Sequence, residues 1–221
     1  QMCIRDSKDT GTGQVGSVKF TMKKIDAVTN GTIGHRNQAA ASTKNPPHKV
    51  NLSSYYLGET EVTQELYEAV MGNNPSFFQG SGKPPVTGEV QAQRPVEEVS
   101  WYDAIAFCNE LTKKTMLGDD ACVYWVDGHI YNADDARAKK VPQPRWSKKG
   151  FRLPTEAEWE WAAQGGSERH KWAGTDNEST LASYAWYYVN ISSMLTHQVK
   201  KKNANALGFF DMSGNVGEWC W

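Results

Sequence analysis

The stretch that decides the fold is Phe151-Arg152-Leu153-Pro154-Thr155-Glu156-Ala157-Glu158-Trp159-Glu160-Trp161-Ala162-Ala163. Pro154 disfavours a helical residue before it, so the chain should enter this segment in extended form. Thr155 is a favourable N-cap and Glu158 stands at the capping-box position, which predicts a short helix that a Gly-Gly pair ends. We expect Arg152 to form an ion pair or hydrogen bonds inside the fold rather than to contact a substrate. A glutamate in this Trp-rich helix should be buried and paired.

Two more helices and two strands can be placed outward from this segment. Thr63 and Ser100 can each cap a helix, and Asp103 stands at the capping-box position of the second. The alternation in Val18–Met22 predicts a half-buried strand. Apolar residues between 50 and 57 predict a second strand near the first. Most of the remaining chain is rich in turn-forming residues, so we expect one compact α+β domain with modest regular structure.

The composition narrows the possible partners. The chain of 221 residues carries a formal net charge of −1, which argues against a nucleic-acid partner. The basic run 200–202 is interpreted as a solvated loop face. No apolar run is long enough for a transmembrane helix, so we expect no membrane span. The four cysteines are too widely spaced to predict a metal knuckle or a disulfide scaffold.

Both ends of the sequence differ from the rest. The run Gln1–Ser7 matches nothing after it, and Lys8–Ser17 is rich in Gly, Thr and Ser. We therefore expect residues 1–17 to be a flexible or non-native lead-in and residues 18–221 to be one domain, truncated at its C-terminus. The location stays open between the bacterial cytoplasm and the cell envelope, and we expect a monomer.

Four ordered segments resemble the formylglycine-generating-enzyme (sulfatase-modifying-factor) family. The Arg152–Ala163 string and the Gly-Asn-Val-x-Glu-Trp motif are the most specific of them. The four segments are Gly58–Thr63, Arg94–Cys108, Phe151–Ala163 and Asn205–Trp219.

The resemblance implies a fold and a chemistry. The expected fold is a variant of the C-type-lectin-like fold, with antiparallel strands, two to three short helices and long loops. The family oxidises a cysteine of a sulfatase precursor to formylglycine with oxygen, which is activated at a copper(I) ion bound by two nearby cysteines. Those cysteines follow a Gly-Gly-Ser motif that the resemblance places beyond residue 221. Copper is therefore expected only if that segment exists, and the chain by itself should be inactive.

The resemblance also implies a structural calcium site in Asp211–Glu218. Carried over residue by residue, its ligands are the Asp211 side chain, the carbonyls of Gly214 and Val216, and the Glu218 carboxylate. Calcium prefers oxygen ligands in flexible geometry, and a glycine-containing loop can turn carbonyls inward. The alternative is a tight turn in which Asp211 caps the backbone and Glu218 pairs with a cation. One departure is Gly217, which stands where the family usually has an aromatic residue and puts the family's substrate cleft in doubt.

The other residues with possible chemistry are interpreted structurally. Cys108 lies on the apolar face of its predicted helix, as a core residue or half of a disulfide, and Cys220 is interpreted in the same way. His48, His129 and His197 are expected to lie at the surface or to form hydrogen bonds rather than to bind metal.

Three functions remain open from the sequence. The parent protein could be the copper- and oxygen-dependent oxidase acting on a protein or peptide. It could instead be a non-catalytic binding module that uses the same scaffold to present loops. A related iron-dependent oxygenase is a third possibility, which would need a His-rich metal site.

Overall fold

The structure, a computed structural model, describes residues 1–4, 11–34, 45–115, 117–188, 190 and 195–221. Its strands are β1 Cys3–Ile4, β2 Thr12–Val15, β3 Val18–Ile25, β4 Val28–Ile33, β5 His48–Leu52, β6 Tyr55–Gly58, β7 Tyr124–Val126, β8 His129–Ile130, β9 Gln143–Pro144 and β10 Phe151–Arg152. Its helices are α1 Gln64–Met71, α2 Trp101–Lys114, α3 Ala133–Arg137, α4 Glu156–Ala163 and α5 Glu178–Leu181. The mixed architecture with antiparallel sheets and few helices confirms the predicted α+β class.

A central antiparallel sheet has the strand order β10-β1-β6-β3-β2. Strand β3 pairs with β6 in the register Ile25↔Tyr55, so the predicted pairing is confirmed for residues 55–57. The single strand predicted between residues 50 and 57 is two strands, because β5 pairs with β4 in a separate sheet. Successive side chains of a strand point to opposite faces. Along β6, Tyr55 and Leu57 therefore enter one hydrophobic cluster, while Tyr56 packs against another.

These two clusters are the core on either side of the sheet. One contains the buried faces of α1 and α2. The other contains Ala162 of α4 together with Phe209 and Met212. Asn205 ties these last two parts together, because its side-chain amide donates to the Ala162 carbonyl at 2.7 Å. The Arg152–Ala163 string and the segment around Phe209 are thus neighbours in one fold.

The three predicted helix starts are confirmed. The Thr63 hydroxyl accepts from Leu66 N, and Ser100 and Thr155 form capping boxes with Asp103 and Glu158. Such caps satisfy backbone N–H groups that have no partner within the helix.

Regular structure in residues 119–144 was not predicted from the sequence. Strands β7 to β9 form a small sheet, and α3 packs beside it. Asn109 of α2 organises this region from the core: its side-chain nitrogen donates to the carbonyls of Tyr124 and Tyr131 at 2.7 and 2.9 Å. Such a polar contact between distant segments gives no periodic signal in the sequence.

The structure differs from the flexible lead-in expected over residues 1–17. Cys3 and Ile4 are buried, and β1 lies between β6 and β10 in the central sheet. Strand β2 forms a hairpin with β3 through Gly16, whose φ of 57° suits glycine. Strand β1 pairs with β6 on one side and β10 on the other, and its side chains are buried. The composition of residues 1–17 does not predict this pairing. Residues 5–10 lie outside the described ranges.

Candidate functional site

Residues Asp211–Glu218, here called the cation loop, form a turn with an unusual backbone. Asp211, Gly214 and Asn215 have φ values of 57°, 96° and 62°. Asn215 N donates to the Trp186 carbonyl at 3.0 Å. A Cβ at Gly214 would lie 1.9 Å from the Trp186 carbonyl oxygen, so this position requires glycine.

Asp211 is a buried carboxylate that is only half satisfied. It is 3% exposed, and its Oδ2 accepts from Lys200 N at 2.9 Å. Its Oδ1 is buried and has no hydrogen-bond partner among the described residues. Burial, reinforced by the charge of Glu218, raises the pKa of Asp211 to about 6. Buried carboxylates are normally paired or bound to a metal ion, so Oδ1 is an acceptor that could bind a cation.

Two more carboxylates surround the same loop. The Glu218 side chain is 5% exposed and contacts the amino group of Gln1, which agrees in part with the turn-and-ion-pair alternative. Glu61 is buried, and it accepts from Asn215 Nδ2 at 2.8 Å and from Val216 N at 3.2 Å. Burial and the charges of Asp211 and Glu218 raise the pKa of Glu61 well above its usual value. The three carboxylates therefore act on one another electrostatically.

Two cavities flank the cation loop, and Gly217 lines both. The first, of about 500 Å³, is lined by all four predicted calcium ligands together with Glu156 and Trp159. The second, of about 570 Å³, has apolar walls that include Tyr67, Phe107 and Trp219. We call the second cavity the acidic cleft, because four glutamates line it: Glu61, Glu97, Glu98 and Glu218. No Lys, Arg or His of the described residues lines either cavity.

The residues of the cation loop fit a calcium ion in type. Asp211, Gly214, Val216 and Glu218 all line the first cavity. No group of three or more His, Cys, Asp or Glu side chains is arranged to hold a metal in the described ranges. Protein ligation would therefore combine two carboxylates with two carbonyl oxygens, which is a donor set that suits calcium.

The sequence comparison missed Glu61 as part of this site. Glu61 lies 154 residues before Asn215 in the chain, so no local spacing connects the two. It does belong to the Gly58–Thr63 segment that carries the family resemblance, which was the available signal.

The histidines take the hydrogen-bonding roles predicted for them. His197 Nδ1 lies 2.9 Å from Glu89 Oε1, and its ring stacks on Trp186 with centroids 3.7 Å apart. His129 Nε2 lies 2.9 Å from Asp135. His48 Nδ1 lies 2.9 Å from the Pro46 carbonyl oxygen.

None of the four cysteines, all of which lie in the described ranges, forms a disulfide. Burial raises the pKa of Cys108 to about 12 and that of Cys220 to about 11. A thiol must ionise to act as a nucleophile or a metal ligand. In metal-free protein these two thiols are therefore poor nucleophiles at neutral pH.

The comparisons with known proteins decide the family. The profile of the sulfatase-modifying factor enzyme 1-like domain matches residues 15–221. The chain belongs to this family. Its fold is accordingly that of the formylglycine-generating-enzyme-like proteins, and the described residues contain no helix long and apolar enough to cross a membrane.

Three similar proteins carry different names. The solved structure of Treponema denticola variable protein 1 is 50% identical, with a TM-score of 0.80, and the match covers 95% of this chain and 75% of that one. A "Chaperone protein LppX" from Paenibacillus barcinonensis is 36% identical over 196 residues, which are 78% of this chain and 63% of that protein. A "Formylglycine-generating enzyme" from Streptomyces coelicolor is 26% identical, covering 81% of this chain and 61% of the enzyme. The chain thus spans about three fifths of the length of these two relatives.

Proposed function

We propose that the cation loop binds a structural calcium ion through Asp211, the Gly214 and Val216 carbonyls, and Glu218. The support is the buried Asp211 Oδ1, which has no partner among the described residues, in a cavity that no basic residue of the described ones lines. Glu218 contacts the Gln1 amino group, which calcium would replace. When bound, calcium would neutralise these charges and fix the loop.

Millimolar calcium should raise the melting temperature, because a ligand that binds only the native state stabilises it. At one hundred times its Kd the stabilisation is about 2.7 kcal/mol, or roughly 5–10 °C for a domain of this size. Glu218→Ala should abolish the shift. Glu156→Gln, which alters the same cavity outside the loop, should retain it; equal shifts in all three proteins would refute the proposal.

We further propose that the domain is a non-catalytic binding module whose ligand enters the acidic cleft. The observation that carries this proposal is Gly217, which leaves open space between the two cavities where the family usually has an aromatic ring. Identity to the protein named as variable is 50%, whereas identity to two proteins named formylglycine-generating enzyme is 26% over 211 residues and 39% over 88 residues. Copper chemistry would need the downstream cysteine pair of the family.

The chemistry of the acidic cleft indicates a ligand with both apolar and cationic groups. Its apolar walls would bury a hydrocarbon side chain. Glu97 and Glu98 favour a positive charge, whereas Glu218 already contacts the Gln1 amino group and burial raises the pKa of Glu61. A protein or peptide segment that carries Arg or Lys beside an apolar residue has this character.

Two matched peptides test the ligand class. Acetyl-Leu-Arg-Leu-Arg-Leu-amide should bind the 221-residue chain in a calorimetric titration, whereas the peptide with Glu in place of Arg should not. Gly217→Trp, which fills the junction of the cavities, should weaken the binding. Equal binding of both peptides, or of neither, would exclude a cationic peptide ligand.

An activity assay separates this proposal from the oxidase. The chain is incubated with a Cys-x-Pro-x-Arg peptide, copper(I) and oxygen, and formylglycine is sought by mass spectrometry. We expect none. Formylglycine that forms here and disappears in Cys220→Ser would favour the oxidase instead.

A further inference from the structure

Glu61 joins two distant parts of the chain at the cation loop. It lies between β6 and α1, is 3% exposed, and reaches the loop across 154 residues of sequence. Both of its carboxylate oxygens are engaged: Oε2 accepts from Asn215 Nδ2 at 2.8 Å, and Oε1 accepts from Val216 N at 3.2 Å. Neither bond is a cap or a turn bond of Glu61's own segment.

Because a peptide bond is planar, a hydrogen bond that fixes the direction of an N–H group also fixes the direction of the carbonyl in the same peptide. In a trans peptide the C=O points away from the N–H of the next residue. Asn215 N donates to the Trp186 carbonyl, so the Gly214 carbonyl points away from Trp186. Val216 N donates to Glu61, which fixes the middle peptide of the loop. The peptides that carry the two proposed carbonyl ligands lie on either side of that middle peptide.

Asn215 completes this arrangement. Its Oδ1 accepts from His197 N at 2.9 Å, and its Nδ2 donates to the His197 carbonyl at 3.1 Å as well as to Glu61. Its backbone φ of 62° is therefore held by contacts on both ends of the side chain. The loop conformation therefore depends on contacts from Glu61, His197 and Trp186 as well as on the loop's own Gly214 and Asn215.

We propose that Glu61 is a positioning residue for the cation loop, holding the middle peptide so that the Gly214 and Val216 carbonyls are presented to one cation. The inference depends on the calcium site proposed above. Partners behind metal ligands typically contribute 10- to 100-fold to metal affinity. Glu61 should contribute in that range.

Calorimetric titration of calcium into the parent chain and Glu61→Gln tests the inference. We expect the calcium Kd of Glu61→Gln to rise at least tenfold, while its calcium-free unfolding midpoint in urea stays at the parent value or increases. A purely structural role would lower that midpoint. Glu98→Gln is the matched control, because it removes the same charge from the acidic cleft without contacting the loop, and its Kd should change less than twofold.

The outcomes are separable. If the parent itself binds no calcium, the metal proposal fails. If the parent binds calcium and Glu61→Gln binds it within twofold, the metal site stands and the positioning role is refuted. If Glu61→Gln does not fold, Glu61→Asp is titrated instead, because its shorter side chain draws the carboxylate away from both Val216 N and Asn215 Nδ2. An unchanged Kd in Glu61→Asp would then refute the inference, and a tenfold rise would support it.

Discussion

The Arg152–Ala163 segment and the cation loop both contain buried carboxylates. The carboxylate of the first segment is fully paired, whereas that of the second is not. Glu158 is held by Arg152 through two hydrogen bonds of 2.7 and 2.6 Å and accepts from Thr155 N at 2.8 Å. Burial alone would raise the pKa of Glu158, but these partners lower it below its usual value. Asp211 in the cation loop has one partner, and its pKa is raised to about 6.

The difference indicates which of the two buried carboxylate sites is fully satisfied by partners within the protein. A charge-assisted bidentate pair satisfies both members of the Arg152–Glu158 pair. At the cation loop, burial and the charge of Glu218 make both Asp211 and Glu61 harder to ionise. Such an arrangement is stable at neutral pH when a cation joins it. The first segment is therefore part of the scaffold, and the second is the candidate site.

Arg152→Met should have the largest effect on stability. It leaves Glu158 buried without its cation, which typically costs 3–5 kcal/mol of unfolding free energy. Urea unfolding measures the loss. Arg137→Met breaks an exposed ion pair with Asp134 and should cost less than about 0.5 kcal/mol. A comparable, small loss in both variants would contradict the structural role of Arg152.

Gly214→Ala should come next, at about 3 kcal/mol, since left-handed strain adds to overpacking against Trp186. The variant should also lose calcium-dependent stabilisation. Gly72→Ala is the matched control, because Gly72 has a φ of 81° but nothing within 4 Å of its Cβ position. It should lose about 1–2 kcal/mol by strain alone. Equal losses at both positions would show that the contact with Trp186 does not constrain the loop.

The pH dependence of stability should have opposite signs in the two segments. For calcium-free protein, the native pKa of Asp211 is about 6, against about 3.9 in the unfolded chain. The native state then binds more protons between these values, so stability falls as pH rises through that range. Acidification from pH 7 to pH 5 should therefore stabilise the protein by about 1–2 kcal/mol.

Glu158 does not contribute to the change in stability between pH 7 and pH 5. Its lowered native pKa means that its contribution is fully present above the unfolded value and is lost only as the pH falls through the native pKa. Asp211→Asn should reduce the stabilisation between pH 7 and pH 5, and saturating calcium should remove or reverse it. A profile that is the same with and without calcium would count against the cation site.

Gly217→Trp should have the smallest effect on stability. Nothing lies within 4 Å of the Gly217 Cβ position, so the added ring has room and the unfolding free energy should change by less than about 0.5 kcal/mol. A larger loss would mean that the space between the cavities is part of the core. Chemical denaturation distinguishes the two outcomes.

More of the scaffold than of the candidate site could be predicted from the sequence. Thr63, Ser100 and Thr155 start helices because capping is a local rule that a few neighbouring residues express. The four loop residues came from the family motif; all four line one cavity, and their role as calcium ligands stays a prediction. Glu61 and the ordered strand β1 were missed, because both act through contacts with residues more than 50 positions away. Composition and spacing carry no signal for such contacts.

The most direct test of the contrast is carboxyl-carbon NMR titration of Asp211 and Glu158 in one sample, with and without calcium. We expect Asp211 to titrate near pH 6 without calcium and well below that value with it. Glu158 should titrate below its usual value in both cases. An Asp211 that titrates near pH 4 in calcium-free protein and does not respond to the ion would contradict the account.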